Sequence, residues 1–239
     1  MSDGAILVTG GSGEIGAAIC TRAAADGYEV INLDRAPPRQ GSPGRWVQVD
    51  LSDVEMTQKV MRREAAAAQV LRLVHCAGTV RPASLDATTA EDFDAVIALN
   101  LRSAVLCTQA VAPGMRRAQF GRIVSISSRA SLGKELRTAY SASKAALHGM
   151  TRTWALELAK DGITVNAVAP GSIETKLFRD ANPPGDPRTA AIISAIPVGR
   201  IGMPDDVAQA VSFFLDRRSG FVTGQVMYVC GGLTVGLSR

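Results

Sequence analysis

Short β-rich apolar runs alternate with amphipathic helical segments along almost the whole chain. Residues 5–8 form a continuous apolar run closed by Thr9-Gly10, the pattern of a strand buried on both faces. A glycine-rich turn follows. Apolar positions then recur at helical spacing over 15–25, where Asp26-Gly27 stops the helix. Further strands are predicted over 29–33, 46–49, 70–74, 121–126, 163–168 and 226–229. Helices are predicted over 52–68, 90–98, 101–117, 140–159 and 205–215. Ser52 is the expected cap of the second helix, with Glu55 completing a capping box. Residues 36–44 and 176–203 carry the prolines and glycines of loops. The later loop holds Leu177, Phe178, Ile192, Ile193 and Ile196, the composition of an apolar lid over a substrate.

Strand and helix alternating in this way predict an α/β fold, a doubly wound parallel sheet of about seven strands in three layers. In such sheets ligands bind at the carboxyl ends of the strands. No repeat or linker divides the chain, so one domain is expected over 1–239.

Composition adds limits. Apolar residues make up 46% and charged residues 20%, which excludes a largely disordered chain. The net charge of +4 comes from scattered arginines without a basic run, so no nucleic-acid partner is expected. A small-molecule substrate bearing a carboxylate or phosphate would instead meet some of Arg81, Arg129, Arg137 and Arg179. Four cysteines without a CxxC pair and only two histidines predict no metal site. Cys20, Cys107 and Cys230 sit among apolar residues and suit a reducing, cytoplasmic setting. No uninterrupted apolar run approaches the ~18 residues of a membrane span, so no membrane partner is expected.

The segment from Thr9 to Gly16 joins the first strand to the first helix and comprises Gly10, Gly11, Ser12, Gly13, Glu14, Ile15 and Gly16. Glycines let the backbone approach a pyrophosphate, and a helix N-terminus offers N–H groups and partial positive charge. Asp34 ends the second strand, where a carboxylate accepts hydrogen bonds from the adenosine ribose and repels a 2′-phosphate. Arg35 is the adjacent residue that a 2′-phosphate would meet. The balance predicts NAD as cofactor rather than NADP. Asp50, ending the third strand, is placed to contact the adenine amino group.

Tyr140 and Lys144 lie four residues apart on a long helix and so share one face. A neighbouring cation stabilises a phenolate, as a general acid/base requires. Ser127-Ser128 ends the fifth strand and presents a hydroxyl able to hydrogen-bond a carbonyl oxygen. Asn100 interrupts an apolar helical stretch, where its amide needs partners and a kink or a held water is expected.

In this order, Thr9 to Gly16, Asp50, Ala77-Gly78, Asn100, Ser128, Tyr140-x-x-x-Lys144 and Pro170-Gly-Ser-Ile-Glu-Thr175 resemble the short-chain dehydrogenase/reductase family across the full chain. The likeness extends to 3-oxoacyl-carrier-protein reductases and NAD-dependent secondary alcohol dehydrogenases. It implies a Rossmann-like fold and a tetrad of Asn100, Ser128, Tyr140 and Lys144. Tyr140 would exchange the proton, and Lys144 would also hold the nicotinamide ribose. Ser128 would orient the carbonyl, and Asn100 would keep a relay water. Leu51, Ala77 and Gly78 join the implied cofactor contacts, as do Pro170, Gly171, Ile173 and Thr175 at the nicotinamide end. A homotetramer or homodimer through the helices near 101–117 and 140–159 is implied as well.

Four positions depart from the family pattern. Glu14 replaces a glycine, giving TGxxGxxG in place of TGxxxGxG. His75-Cys76 replaces an Asn-Asn pair that pins the fourth strand, and His75 reads as a packed strand-end residue. Cys230 replaces a late Asp. Ser127 precedes Tyr140 by 13 residues and Ser128 by 12, and the carbonyl-binding role is placed on Ser128. The predicted activity is hydride transfer between NAD and a secondary alcohol or ketone, the substrate being an aromatic or alicyclic alcohol, a hydroxy acid or a 3-oxoacyl thioester. The glycine spacing leaves a nucleotide-sugar epimerase or dehydratase as one alternative. A non-catalytic NAD-binding regulator is another.

Overall fold

The computed structural model describes residues 4–235; the two ends of the predicted 1–239 domain lie outside the described residues. Seven strands form one parallel sheet in the order β3-β2-β1-β4-β5-β6-β7. They are β1 Ala5–Thr9, β2 Glu29–Asp34, β3 Arg45–Gln48, β4 Val70–His75, β5 Gly121–Ile126, β6 Ile163–Pro170 and β7 Val226–Val229. Every neighbouring pair is parallel. The order reverses direction between β1 and β4, the switch point at which such sheets open a crevice for ligands.

The alternation of strand side chains builds the three layers. Ile6 and Val8 of β1 face one core, with Ile19, Cys20 and Ala23 of α1 (Glu14–Ala25) and Val207, Val211 and Phe214 of α8 (Pro204–Leu215). Leu7 faces the other. There it meets Met61 of α2 (Val54–Ala67), Cys107, Val111 and Met115 of α4 (Ser103–Ala118), and Leu158 of α5 (Thr138–Leu158).

Two sequence expectations are corrected, and the kink expected at Asn100 takes the form of a π-turn. Asp53, not Ser52, caps α2, its carboxylate accepting the Met56 N–H at 2.9 Å, while Ser52 turns back to Asp50. A carboxylate one residue further on reaches the first-turn N–H better than the hydroxyl does. Residues 176–203 are not all loop: α6 (Lys176–Ala181) and α7 (Pro187–Ser194) form within them. Their caps, Thr175 and Asp186, and the N1 proline of α7 are helix-start signals that the surrounding prolines hid. Finally, α3 (Ala90–Ile97) runs into α4 through a π-turn over Ala98–Arg102. The joined stretch Ala90–Ala118 is long and apolar enough to cross a membrane by length and composition. Half of that stretch is buried, and α4 packs against α2, β4 and β5, as a core helix does.

Candidate active site

The glycine turn is shaped by close backbone approach. Gly10 has φ +70, and a Cβ there would stand 2.7 Å from the Ala77 N and Cα. A Cβ on Gly16 would meet the Gly10 carbonyl oxygen at 2.1 Å. Gly13 is the N-cap of α1 and has no side chain to cap it, so the first-turn N–H groups face outward. That bare helix start, with backbone packed too tightly for side chains, fits a dinucleotide pyrophosphate.

Asp34 is half-buried at the end of β2. Its Oδ2 accepts the Ser12 N–H at 3.1 Å and its Oδ1 the Ala36 N–H at 3.0 Å. The carboxylate is thus oriented beside the glycine turn, while Arg35 is exposed. Asp50 Oδ1 accepts from the Ser52 hydroxyl and N–H, and these bonds hold its carboxyl below the usual range. The Leu51 side chain is buried in the core, so only its backbone can serve a ligand.

Thr9 pins the end of β4 at the place where the family pattern has an Asn pair. Its hydroxyl accepts the N–H groups of Cys76 and Ala77 at 3.1 and 3.2 Å, tying the end of β4 to β1. His75 is indeed packed: its Nε2 meets Thr108 Oγ1 at 2.9 Å and its ring stands edge-on to Trp154. Burial pulls its pKa from 6.5 to about 3. The unfolded chain therefore takes up a proton that the folded chain refuses as pH falls from 6.5 towards 3. In that window the residue should cost up to about 1.4 kcal/mol of stability per pH unit. Urea unfolding of the wild type and His75→Asn at several pH values checks this. A difference in stability independent of pH would refute it. Burial also pushes the Cys76 thiol up to about 12, against the opposing field of Lys144.

At the centre, Lys144 is 4% exposed and donates from Nζ to the Ile126 carbonyl at 2.8 Å. Its Nζ lies 5.6 Å from the Tyr140 ring centroid. A Cβ on Gly78 would stand 3.4 Å from both Lys144 Nζ and Asn100 Oδ1. The end of β4, the π-turn and α5 therefore converge on one point.

Asn100 lies in that π-turn, where helix distortions free backbone groups. Its Oδ1 accepts the Thr79 N–H at 2.8 Å. Its Nδ2 donates to the Thr79 carbonyl and to Ser143 Oγ, both at 3.0 Å. Ser143 donates in turn to the Tyr140 carbonyl at 2.8 Å. Sequence inspection missed Ser143, although it sits inside the Tyr-x-x-x-Lys motif.

The two serines separate clearly. Ser127 is buried and donates to the Lys144 carbonyl at 2.8 Å, with His148 Nε2 2.7 Å from its Oγ. Ser128 is partly exposed, and its Oγ accepts the Ala130 N–H, leaving its own proton available.

Glu14 serves an unforeseen purpose. Its Oε2 accepts the Lys176 N–H at 2.6 Å and its Oε1 pairs with Arg39 at 3.1 Å, linking the glycine turn to α6. Pro170 and Gly171 end β6, and the Gly171 N–H donates to the Val229 carbonyl. The Ile173 side chain is buried in the core, and the Thr175 hydroxyl caps α6. Of the four arginines considered for an anionic substrate, Arg81 is paired with Asp92 and Arg179 with Glu174. That leaves Arg129 and Arg137.

The family model described as Enoyl-(Acyl carrier protein) reductase matches residues 11–234. The 3-oxoacyl-(acyl-carrier-protein) reductase FabG of Thermotoga maritima is 39% identical over 244 residues, covering 96% of this chain and 97% of that protein. The (2S)-((R)-hydroxy(phenyl)methyl)succinyl-CoA dehydrogenase subunit BbsD of Thauera aromatica is 48% identical over 160 residues. That match covers 67% of this chain and 63% of the relative, just under two thirds of its length. Among solved structures, a 3-oxoacyl (acyl-carrier-protein) reductase from Agrobacterium tumefaciens with NADP bound superimposes with a TM-score of 0.88 at 31% identity, covering 96% of this chain and 94% of that one.

Proposed function

The chain belongs to the short-chain dehydrogenase/reductase family, and from that premise we propose that it is an NAD-linked enzyme acting on 3-oxoacyl or 3-hydroxyacyl thioesters. As a family member it is an oxidoreductase that moves a hydride between a nicotinamide cofactor and a secondary alcohol or ketone. The observation that carries the proposal is the pair Tyr140 and Lys144 on one face of α5, the ammonium held on the Ile126 carbonyl at the end of β5.

The turn from Gly10 through Ser12, Gly13, Ile15 and Gly16 would hold the pyrophosphate. Asp34 would take the adenosine ribose hydroxyls and Asp50 the adenine amino group. Ala77 and Gly78 would line the crevice, and Pro170, Gly171, Thr175 and the backbone of Ile173 its nicotinamide end. When bound, the nicotinamide supplies or takes up the hydride.

The protein handles the proton. In ketone reduction the Tyr140 hydroxyl gives its proton to the substrate oxygen as negative charge grows there, and in oxidation the phenolate takes it back. The Lys144 ammonium stabilises that phenolate through the low-dielectric interior. Ser128 donates a hydrogen bond to the same oxygen. Asn100 is a positioning residue: through Ser143 it fixes the turn that carries Tyr140.

Thioester substrates are favoured because several relatives matched over nearly their whole length are, by name, 3-oxoacyl-carrier-protein or acetoacetyl-CoA reductases. NAD is favoured by the Asp34 carboxylate, which would repel a 2′-phosphate. The related Agrobacterium reductase binds NADP, so cofactor choice is the discriminating measurement. Purified protein is mixed with acetoacetyl-CoA and NADH or NADPH, and the reduced-nicotinamide absorbance is followed. Turnover with NADH is expected, with kcat/KM about tenfold or more lower for NADPH, and Asp34→Ala should narrow the gap to about threefold. Preference for NADPH in the wild type would remove the NAD assignment. No turnover with either cofactor would remove the thioester assignment.

A further inference from the structure

Between Ser128 and Tyr140 the chain carries three cations, Arg129, Lys134 and Arg137. The segment is clamped to the rim of the crevice. Ser128 caps its first turn, Arg129–Leu132. Leu136 adopts φ 59, a left-handed conformation that side chains resist, and its carbonyl accepts the Ala83 N–H at 3.1 Å. Arg137 then pairs with Ala83 in a parallel bridge, three residues before Tyr140. The Ala83 contacts hold the segment's backbone just ahead of Tyr140.

None of the three cations has a carboxylate partner among the described residues, whereas Arg81 and Arg179 both do; the Arg137 guanidinium donates to the Leu136 carbonyl at 3.0 Å. Instead they crowd one another: burial and the fields of Arg137 and Arg129 pull the Lys134 pKa down. Like charges gathered without a counter-charge leave an electrostatic deficit that an anion removes. The same rim exposes apolar side chains, Leu132 at 64%, Leu136 at 54% and Leu85 at 78%. Cationic heads beside bare leucines match a ligand with an apolar chain and an anionic end.

We propose that Arg129, Lys134 and Arg137 dock an anionic group of the substrate, a carboxylate or a phosphate distant from the reacting carbonyl, while its apolar part lies over Leu132 and Leu136. The proposal rests on the thioester reading above, but its test does not need turnover. The two sources of the anion are an acidic acyl chain and the phosphates of coenzyme A.

Three probes separate them: acetoacetyl-CoA, the N-acetylcysteamine thioester of 3-oxoadipate, and the uncharged acetoacetyl-N-acetylcysteamine. Binding of each is measured by calorimetry to the wild type and to the triple variant Arg129→Gln, Lys134→Gln, Arg137→Gln. Losing charge-assisted bonds should weaken at least one anionic probe by about tenfold or more, with the uncharged probe changed less than about twofold. Loss confined to acetoacetyl-CoA assigns the site to phosphate, and loss confined to the oxoadipyl probe assigns it to carboxylate. Equal binding of all probes to both proteins, or an equal loss for all three, overturns the proposal. Should the triple variant not fold, Arg129→Gln and Arg137→Gln are tested singly, each expected to carry a several-fold part of the loss. Selective binding without turnover would leave the docking site standing and sink the thioester activity.

Discussion

Tyr140→Phe is expected to reduce kcat by about 10² to 10⁴ while leaving NADH affinity within about twofold, the loss typical of one general acid/base. The substitution removes one oxygen and nothing else. The ring that stands beside Lys144 remains, and the backbone of its turn is held through Asn100, Ser143 and the Tyr140 carbonyl, none of which touches the phenol. Lys144 keeps its bond to the Ile126 carbonyl. Steady-state turnover and a fluorescence titration with NADH, on one preparation, distinguish lost chemistry from lost binding. A variant retaining more than a tenth of wild-type turnover would show that the proton comes from elsewhere.

Gly16→Ala should abolish cofactor binding more completely than any charge substitution around the crevice. The added methyl would lie 2.1 Å from the Gly10 carbonyl oxygen and 2.8 Å from Gly11 Cα, both backbone atoms that cannot rotate away. The turn must open, and the first-turn N–H groups of α1 then lose their alignment towards a pyrophosphate. Overpacking of this kind costs about 1–3 kcal/mol of stability, and the binding loss should exceed about a hundredfold because the binding surface itself is displaced. Thermal melts with and without NADH check both quantities. Normal cofactor stabilisation in this variant would mean that the turn is not the phosphate site.

Much of the site was legible because its signals are local. A strand ending in glycines, a helix beginning without a cap, and Tyr140 and Lys144 one turn apart are facts of neighbouring residues, and geometry follows from them directly. Other features were not legible. The cap of α2 shifted by one residue because the Ser52 hydroxyl is taken by Asp50, leaving Asp53 to accept the Met56 N–H. The helices within 176–203 were masked by prolines that serve as helix starts as well as breaks. Ser127 and Ser128 are indistinguishable in sequence. Beyond the end of β5 the first turns onto the Lys144 carbonyl, while the second stays partly exposed and accepts the Ala130 N–H.

The amino-acid sequence alone determined the parallel α/β architecture, the glycine-rich turn that opens α1 and the placing of Tyr140 and Lys144 on one helix face, since each depends on periodicity or on contacts within one or two turns. The tertiary structure decided what distant segments do to one another. It turned Glu14 onto Lys176, tied Thr9 to the backbone of Cys76 and Ala77, and joined Asn100 to Tyr140 through Ser143. It also paired Arg81 with Asp92 and Arg179 with Glu174, while among the described residues Arg129 and Arg137 have no carboxylate partner. Electrostatic and hydrogen-bond partners are set by distance in space, and across such separations the order of residues along the chain does not encode that distance.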